Sequence, residues 1–274
     1  MISISSCDKI PETPFTKTAE FEQTPVGHQV KPIIEETSGV ADSKVNRGNV
    51  WAHEDSGRPT QLYLINHNGS VVKQMYLEGV VNRDWEDMAL ANNDIFIGDI
   101  GDNNKVYPEY TFYQFTEPTQ EEDTIRNIKT IRFQYPDGSH DAEAFLVDPQ
   151  TKDIYIITKQ DNPSRIYKLT FPYNYNGVNQ ASLVGNTKYT GIVSAAFSPD
   201  GKEILLKSYP SLYHYSLQDK ESILEALQKD FANLPYRIEP QGEALTFAAD
   251  NSGFFTLSEK GFTQSVSLYF YQRK

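Results

Sequence analysis

One segment recurs about every fifty residues, and it constrains the fold of this chain more than any other feature. Glu36-Thr-Ser-Gly-Val40, Glu86-Asp-Met-Ala-Leu90, Glu143-Ala-Phe-Leu-Val147 and Glu243-Ala-Leu-Thr-Phe247 each set a glutamate ahead of a short apolar run; Val193-Ser-Ala-Ala-Phe197 has the apolar end without the acid. The intervals between their first residues are 50, 57, 50 and 50. A period of this size marks a chain built from one supersecondary unit that buries its apolar surface only against its neighbours. After each segment comes a turn and a second apolar run, as in Asp148 to Asp153 before Ile154, and Ser198 to Lys202 before Ile204. Pro and Gly in these turns supply the backbone angles that tight hairpins require.

Aromatic-rich third strands follow at Gln61 to Asn66, Tyr110 to Phe115, Arg165 to Phe171, Leu212 to Leu217 and Ser267 to Tyr271, with fourth strands such as Val71 to Leu77 and Thr130 to Tyr135. Four antiparallel strands per unit make the blade of a β-propeller. The chain is therefore expected to be all-β, a propeller of five blades, with six as the alternative. The last unit has room for three strands only, so residues around Phe21 to Lys31 are expected to pair with Ser267 to Tyr271 and close the ring. One helix is expected on the outside of the fourth blade, over Asp219 to Phe231, where Ile223, Leu224, Leu227 and Phe231 recur at helical spacing and Glu225 precedes Lys229 by one turn. Residues 21–274 then form a single propeller domain and residues 1–20 an N-terminal tether.

Composition narrows the partners. With 25 basic and 37 acidic residues the net charge is −12, which removes the electrostatic attraction that supplies most nucleic-acid affinity. No run approaches the ~20 apolar residues that span a bilayer as a helix. The single cysteine, Cys7, excludes an intramolecular disulfide framework. Its context, Ile4-Ser5-Ser6-Cys7-Asp8, resembles the end of a bacterial lipoprotein signal, and lipidation at Cys7 would tether a monomeric propeller to the cell envelope, on its periplasmic or outer side.

The segments Trp51-Ala-His-Glu-Asp-Ser-Gly57, Asp84-Trp-Glu-Asp-Met-Ala89, Ile97-Gly-Asp-Ile-Gly-Asp-Asn103 and Ala142-Glu-Ala144 resemble those of uncharacterised secreted or lipid-anchored bacterial propeller proteins, themselves loosely similar to phytase-like and esterase-like propellers. The resemblance covers residues 33 to about 260. It implies a propeller outside the cytoplasmic membrane and, through the phytase-like analogy, bound calcium; it implies no reaction.

In a propeller the start of each innermost strand and the end of the second strand meet on one face. Sixteen residues beyond Glu86, Glu143 and Glu243 stand Asp102, Lys159 and Glu259, and the first blade offers His53, Glu54 and Asp55. The residues expected to line a ligand-binding mouth are thus Glu36, His53, Asp55, Glu86, Glu143, Lys159, Lys207, Glu243 and Glu259. Two carboxylates ~6 Å apart repel by about 3 kcal/mol at an effective dielectric of 20, so raised pKa values, a lysine, or a hard cation such as calcium must relieve the cluster. Asp99, Asp102 and Asn103, in a glycine-containing loop, are the candidate cation ligands together with Glu86.

The same residues have plainer readings. The repeat glutamates can hold neighbouring blades by accepting backbone hydrogen bonds, Asp99 and Asp102 can be turn formers, His53 a hydrogen-bonded loop residue, and Trp85 a packing residue between blades. No G-x-S-x-G, phosphate-binding glycine loop or zinc spacing is present. Two functions remain in view: a binding module for a small molecule, a carbohydrate or an envelope protein, or a glycosidase or phosphoesterase. In the latter, Glu86 with Asp102, or Glu243 with Glu259, would divide acid and base roles.

Overall fold

A computed structural model describes residues 20–274. Cys7 and all but the last residue of the expected tether lie outside this range. Among the described residues the chain forms five β-sheets, each led by one of the repeat segments. Blade 1 runs from its innermost strand, Thr37–Asp42, through Asn49–Glu54 and Gln61–Asn66 to Val71–Leu77. Blade 2 comprises Trp85–Ala91, Asp94–Asp99, Tyr110–Thr116 and Lys129–Gln134. Blade 3 comprises Ala142–Val147, Ile154–Thr158, Arg165–Leu169 and Ser182–Asn186. In blade 4 the order is Ile192–Phe197, Glu203–Ser208, Leu212–Ser216 and Ala232–Leu234. Blade 5 takes Ala244–Phe247, Gly253–Leu257 and Ser267–Gln272 from the end of the chain, and its outer strand, Val26–Gln29, from the beginning.

The core is divided in the same way. Five clusters of buried apolar side chains lie one at each junction between neighbouring blades, including the junction of blade 5 with blade 1, where Val40 and Val50 share a cluster with Ala244 and Leu257. A cluster at all five junctions requires a closed ring. The sheets twist, so both faces of each blade meet a neighbour, and second strands such as Ile154–Thr158 are buried at every residue. This is why these strands read as continuous apolar runs rather than as alternating ones. Trp85 packs at the junction of blades 1 and 2, as expected. The inner hairpins turn on residues in the left-handed region, Asn92, Lys152, Gly201 and Asn251 among them.

Two features depart from the sequence reading. Blades 1 and 2 each gain a short fifth strand, Thr124–Ile125 and Val178–Gln180, which pairs in parallel with the outer strand. Each comes from the link between the third and fourth strands of the next blade, so these links overlap neighbouring sheets and cover edges that would otherwise stand open. The helix is shorter than expected, Ile223–Leu227 rather than thirteen residues. Ser222 caps it, and the Glu225 side chain reaches back to the Ser222 backbone. Lys229 pairs with Glu221 instead of Glu225, and the chain must extend again by Ala232 to supply the outer strand of blade 4.

Candidate functional site

The innermost strand of a blade pairs with the second, and in four blades the register slips at the start: between Thr37 and Gly39, Trp85 and Met88, Ala142 and Ala144, and Ile192 and Ser194. Such bulges re-aim side chains where a ladder ends. The displaced residues are Ser38, Glu86 with Asp87, Glu143 and Val193; Glu243 stands at the matching place ahead of Ala244. Two residues beyond the partners of Gly39, Ala144, Ser194 and Ala244 come Asp55, Lys159, Tyr209 and Glu259. The repeat geometry thus delivers at least one polar side chain from each blade to the same face of the disc.

These side chains touch one another. Lys159 Nζ forms an ion pair with Glu143 and lies 3.4 Å from the Tyr209 hydroxyl. Tyr209 donates to Glu243, whose charge acts on Glu259. Ser38 donates to Glu86 Oε2 at 3.3 Å, and carboxylate oxygens of Asp55, Asp84 and Glu86 lie within 4.8 Å of one another. Asp87, fully buried, points the other way: it accepts from Ser194 Oγ and the Ala195 amide, both at 3.0 Å, tying blade 2 to blade 4 across the channel. The mouth therefore has a floor.

Burial, together with the charges of Glu143 and Asp55, raises Glu86 well above the usual carboxylate range. Burial and the Glu243 charge do the same to Glu143. Burial followed by Glu243 pushes Glu259 up to about 8, and burial followed by Asp55 and Asp141 pushes Asp84 to about 6. For Lys159, burial alone favours the neutral amine, but Glu143, Glu243 and Glu86 outweigh it and raise the pKa. At neutral pH the mouth consequently holds fewer negative charges than its formal count. Glu143 Oε2 and Asp141 Oδ2 are buried without a hydrogen-bond partner among the described residues.

Several expected site residues lie elsewhere. Glu36 is on the rim, paired with Arg58 at 2.6 Å. It is not the repeat equivalent of Glu143, because the blade 1 bulge falls at Ser38, two residues later. His53 is fully buried against the edge of Trp85, with Nδ1 on the Glu54 carbonyl at 3.1 Å. Burial lowers its pKa to about 4, which makes it a neutral core residue. Lys207 is also fully buried, donating to the Gly242 carbonyl with Glu239 3.6 Å away.

The sixteen-residue offset fails in blade 2, where the bulge takes two residues and the second strand one more. Asp102 is carried into the following loop, its oxygens accepting from the Val106 and Tyr107 amides and the Tyr110 hydroxyl at 2.8 to 3.0 Å. Asp99 accepts from the Asp84 amide at 2.9 Å, and Asn103 is exposed. The expected cation ligands Asp99, Asp102 and Asn103 are thus loop formers, and Glu86 alone of that set stands in the mouth. Sequence reasoning missed Tyr209, Asp84 and Asp141. Tyr209 was within reach: Lys159, Tyr209 and Glu259 stand 50 residues apart, an interval hidden by following acids alone.

The chain is a five-bladed β-propeller. No family model matches it, and no curated protein does. Among solved structures it is similar to the Kuenenia stuttgartiensis hydrazine synthase at 9% identity, over 87% of this chain and 71% of that one, with a TM-score of 0.46. A likeness of that degree says nothing about the mouth.

Proposed function

We propose that this propeller is a binding module whose polar mouth takes a small hydrophilic ligand, a carbohydrate or another polar molecule, on the outer side of a cell membrane to which Cys7 anchors it. One observation carries the reading: each blade contributes a polar group to the mouth, and one of them, Glu143, keeps a buried carboxylate oxygen without a partner. A buried acceptor left unpaired costs about 1–3 kcal/mol, a cost that a donor on a ligand would cancel. Lys159, whose ammonium has three N–H donors and uses two of them on Glu143 and the Tyr209 hydroxyl oxygen, adds a donor, so hydroxyl-rich molecules suit the site.

Of the two carboxyl pairs considered for hydrolysis, Glu86 with Asp102 is not brought together by the fold. In the other, Glu243 is engaged by the Tyr209 hydroxyl. Asp102 is saturated by its own loop. Binding therefore has more support than acid–base hydrolysis.

The test is a thermal-shift and calorimetric screen of monosaccharides, oligosaccharides, polyols and amino acids against the protein and its Glu143→Gln and Glu243→Gln variants. Hits should lose at least tenfold in affinity in both variants. Ligands that bind these variants as tightly as the parent would rule the mouth out as their site.

A further inference from the structure

A second cleft, of about 340 Å³, lies between blades 2 and 3 on the face opposite the mouth, and we infer that it binds an acidic sugar, a pyranose ring carrying a carboxylate. Ala91 and Val147, which line it, are the last residues of their innermost strands, whereas the mouth lies at the first. Its volume falls within the ~300–1,000 Å³ of small-molecule sites. The cleft shares no residue with the mouth and stands or falls independently of it.

The loop leaving the third strand of blade 3 supplies an aromatic wall. Phe171, Tyr173 and Tyr175 alternate along it, and all three line the cleft. Tyr173 is buried, its hydroxyl donating to the Lys152 carbonyl, while Phe171 and Tyr175 are 39% and 37% exposed. Tyr173 meets both of them edge-on, with ring centroids 5.4 and 6.1 Å apart, so the rings form a row whose two ends are open to water. The row is held in place. The Phe171 amide donates to Asp153 at 2.9 Å, the Asn174 amide to Asn179 Oδ1 at 2.8 Å, and the Tyr175 hydroxyl to Gln114 at 2.9 Å. Rings fixed before a ligand arrives reduce the ordering cost of binding. An aromatic ring offers a flat apolar face, which matches the C–H face of a pyranose.

Charge selects the kind of sugar. Lys129 and Lys152 line the cleft and are exposed; in a molecule of net charge −12, neither makes an ion pair among the described residues. Each ammonium lies over a ring instead, Lys129 Nζ 5.3 Å from the Tyr175 centroid and Lys152 Nζ 5.1 Å from that of Phe171. A ring face attracts an ammonium by only ~0.5–1 kcal/mol at an exposed site and leaves its N–H donors free for a carboxylate. The one acid lining the cleft, Asp94, is already engaged, accepting from Gln114 Nε2 at 2.7 Å and Thr116 Oγ1 at 3.2 Å. Asn92 adds an exposed amide whose oxygen can accept from a sugar hydroxyl. An uncharged sugar would leave both ammonium groups unused, and a purely aromatic acid would leave the amide unused.

The experiment titrates digalacturonate into the whole chain at low salt and follows the heat, with its uncharged methyl ester and benzoate as comparisons. Digalacturonate should bind, and added salt should weaken it by screening the lysines. Lys129→Gln and Lys152→Gln should each weaken binding about tenfold, as loss of a charged hydrogen bond does. Lys220→Gln removes the same charge on the exposed stretch before the helix and should leave binding unchanged. Phe171→Ala should also weaken binding about tenfold, whereas Tyr175→Phe keeps the ring and should retain most of the affinity. Phe171 is exposed, so its variant should melt close to the parent; if it melts lower, the two exposed lysines still decide the matter. No heat from digalacturonate at about 10 mM, tenfold above the ~1 mM Kd of a weak site, would overturn the inference. So would the methyl ester or benzoate binding as tightly, or binding that survives both lysine replacements in one chain. The reading of the mouth has its own variants, Glu143→Gln and Glu243→Gln, and none of these results bears on it.

Discussion

Lys207 is the residue at which sequence and structure assign the most different roles. At the end of an apolar strand, Glu203–Ser208, its ammonium is expected at the mouth; the fold instead encloses it completely. Burial lowers its pKa, with Glu239 and Glu243 opposing that shift. Glu239 is itself buried, and neither of its oxygens has a hydrogen-bond partner among the described residues. Removing one member of a buried pair costs about 3–5 kcal/mol because it strands the other, while replacing both by apolar groups is often neutral or stabilising. Lys207→Met should therefore lower the unfolding free energy by about that much, and adding Glu239→Leu should restore most of it. Denaturant titration of the two singles and the double would check this, and additive losses would show that the residues do not act as a pair. The reason for the misreading is general. Sequence gives a residue's place along a strand, but which blade junction its side chain enters depends on the bulge. Glu143, Lys159, Glu243 and Glu259 were legible because blades 3 and 5 carry the plain repeat. Asp102 misled because blade 2 has an added residue in each strand.

At the scale of elements, the strand that closes the ring was readable and the short parallel strands were not. Blade 5 lacks an outer strand in its own sequence, which points to the other end of the chain; a two-residue strand such as Thr124–Ile125 has too few residues for any periodicity. The closing strand carries little burial of its own, since all of Val26–Gln29 is exposed. Its anchors stand on either side. Phe21 is buried against Phe254, with ring centroids 5.0 Å apart and under the Arg273 guanidinium, and Val30 is fully buried at the junction of blades 5 and 1. Arg273 in turn binds Glu203 of blade 4, with Nη1 to Oε1 at 2.9 Å. Removing residues 1–32 should therefore strip both anchors, bare the edge at Ser267–Gln272 and produce aggregation or a large loss of stability. Phe21→Ala in the full chain should cost about 3–5 kcal/mol, the usual penalty for emptying a buried aromatic site. A truncated protein that kept the melting temperature of the full chain would disprove the closure.

For the whole molecule, net charge −12 and a mouth crowded with carboxyl groups mean that stability should depend on pH in the reverse of the usual sense. Glu259 decides the sign. Burial and the charges of Glu243, Asp55 and Glu36 hold its folded pKa at about 8, against 4.5 for an unperturbed glutamate; the Tyr209 hydroxyl is the other titratable group facing it. Between those two values the folded protein keeps a proton that the unfolded chain releases, so raising the pH favours unfolding. The contribution is complete below about pH 4.5 and is lost as pH climbs to about 8. Glu259 is 7% exposed, and screening through the water of the mouth will reduce the effect without reversing it. In chelator and low salt, the unfolding free energy should accordingly fall from pH 5 to pH 8. Glu259→Gln, which cannot ionise, should flatten that slope while leaving stability at pH 5 close to that of the parent. A parent whose stability stayed level or rose across the interval would mean that Glu259 is ionised in the folded mouth, and that some other group there carries the proton.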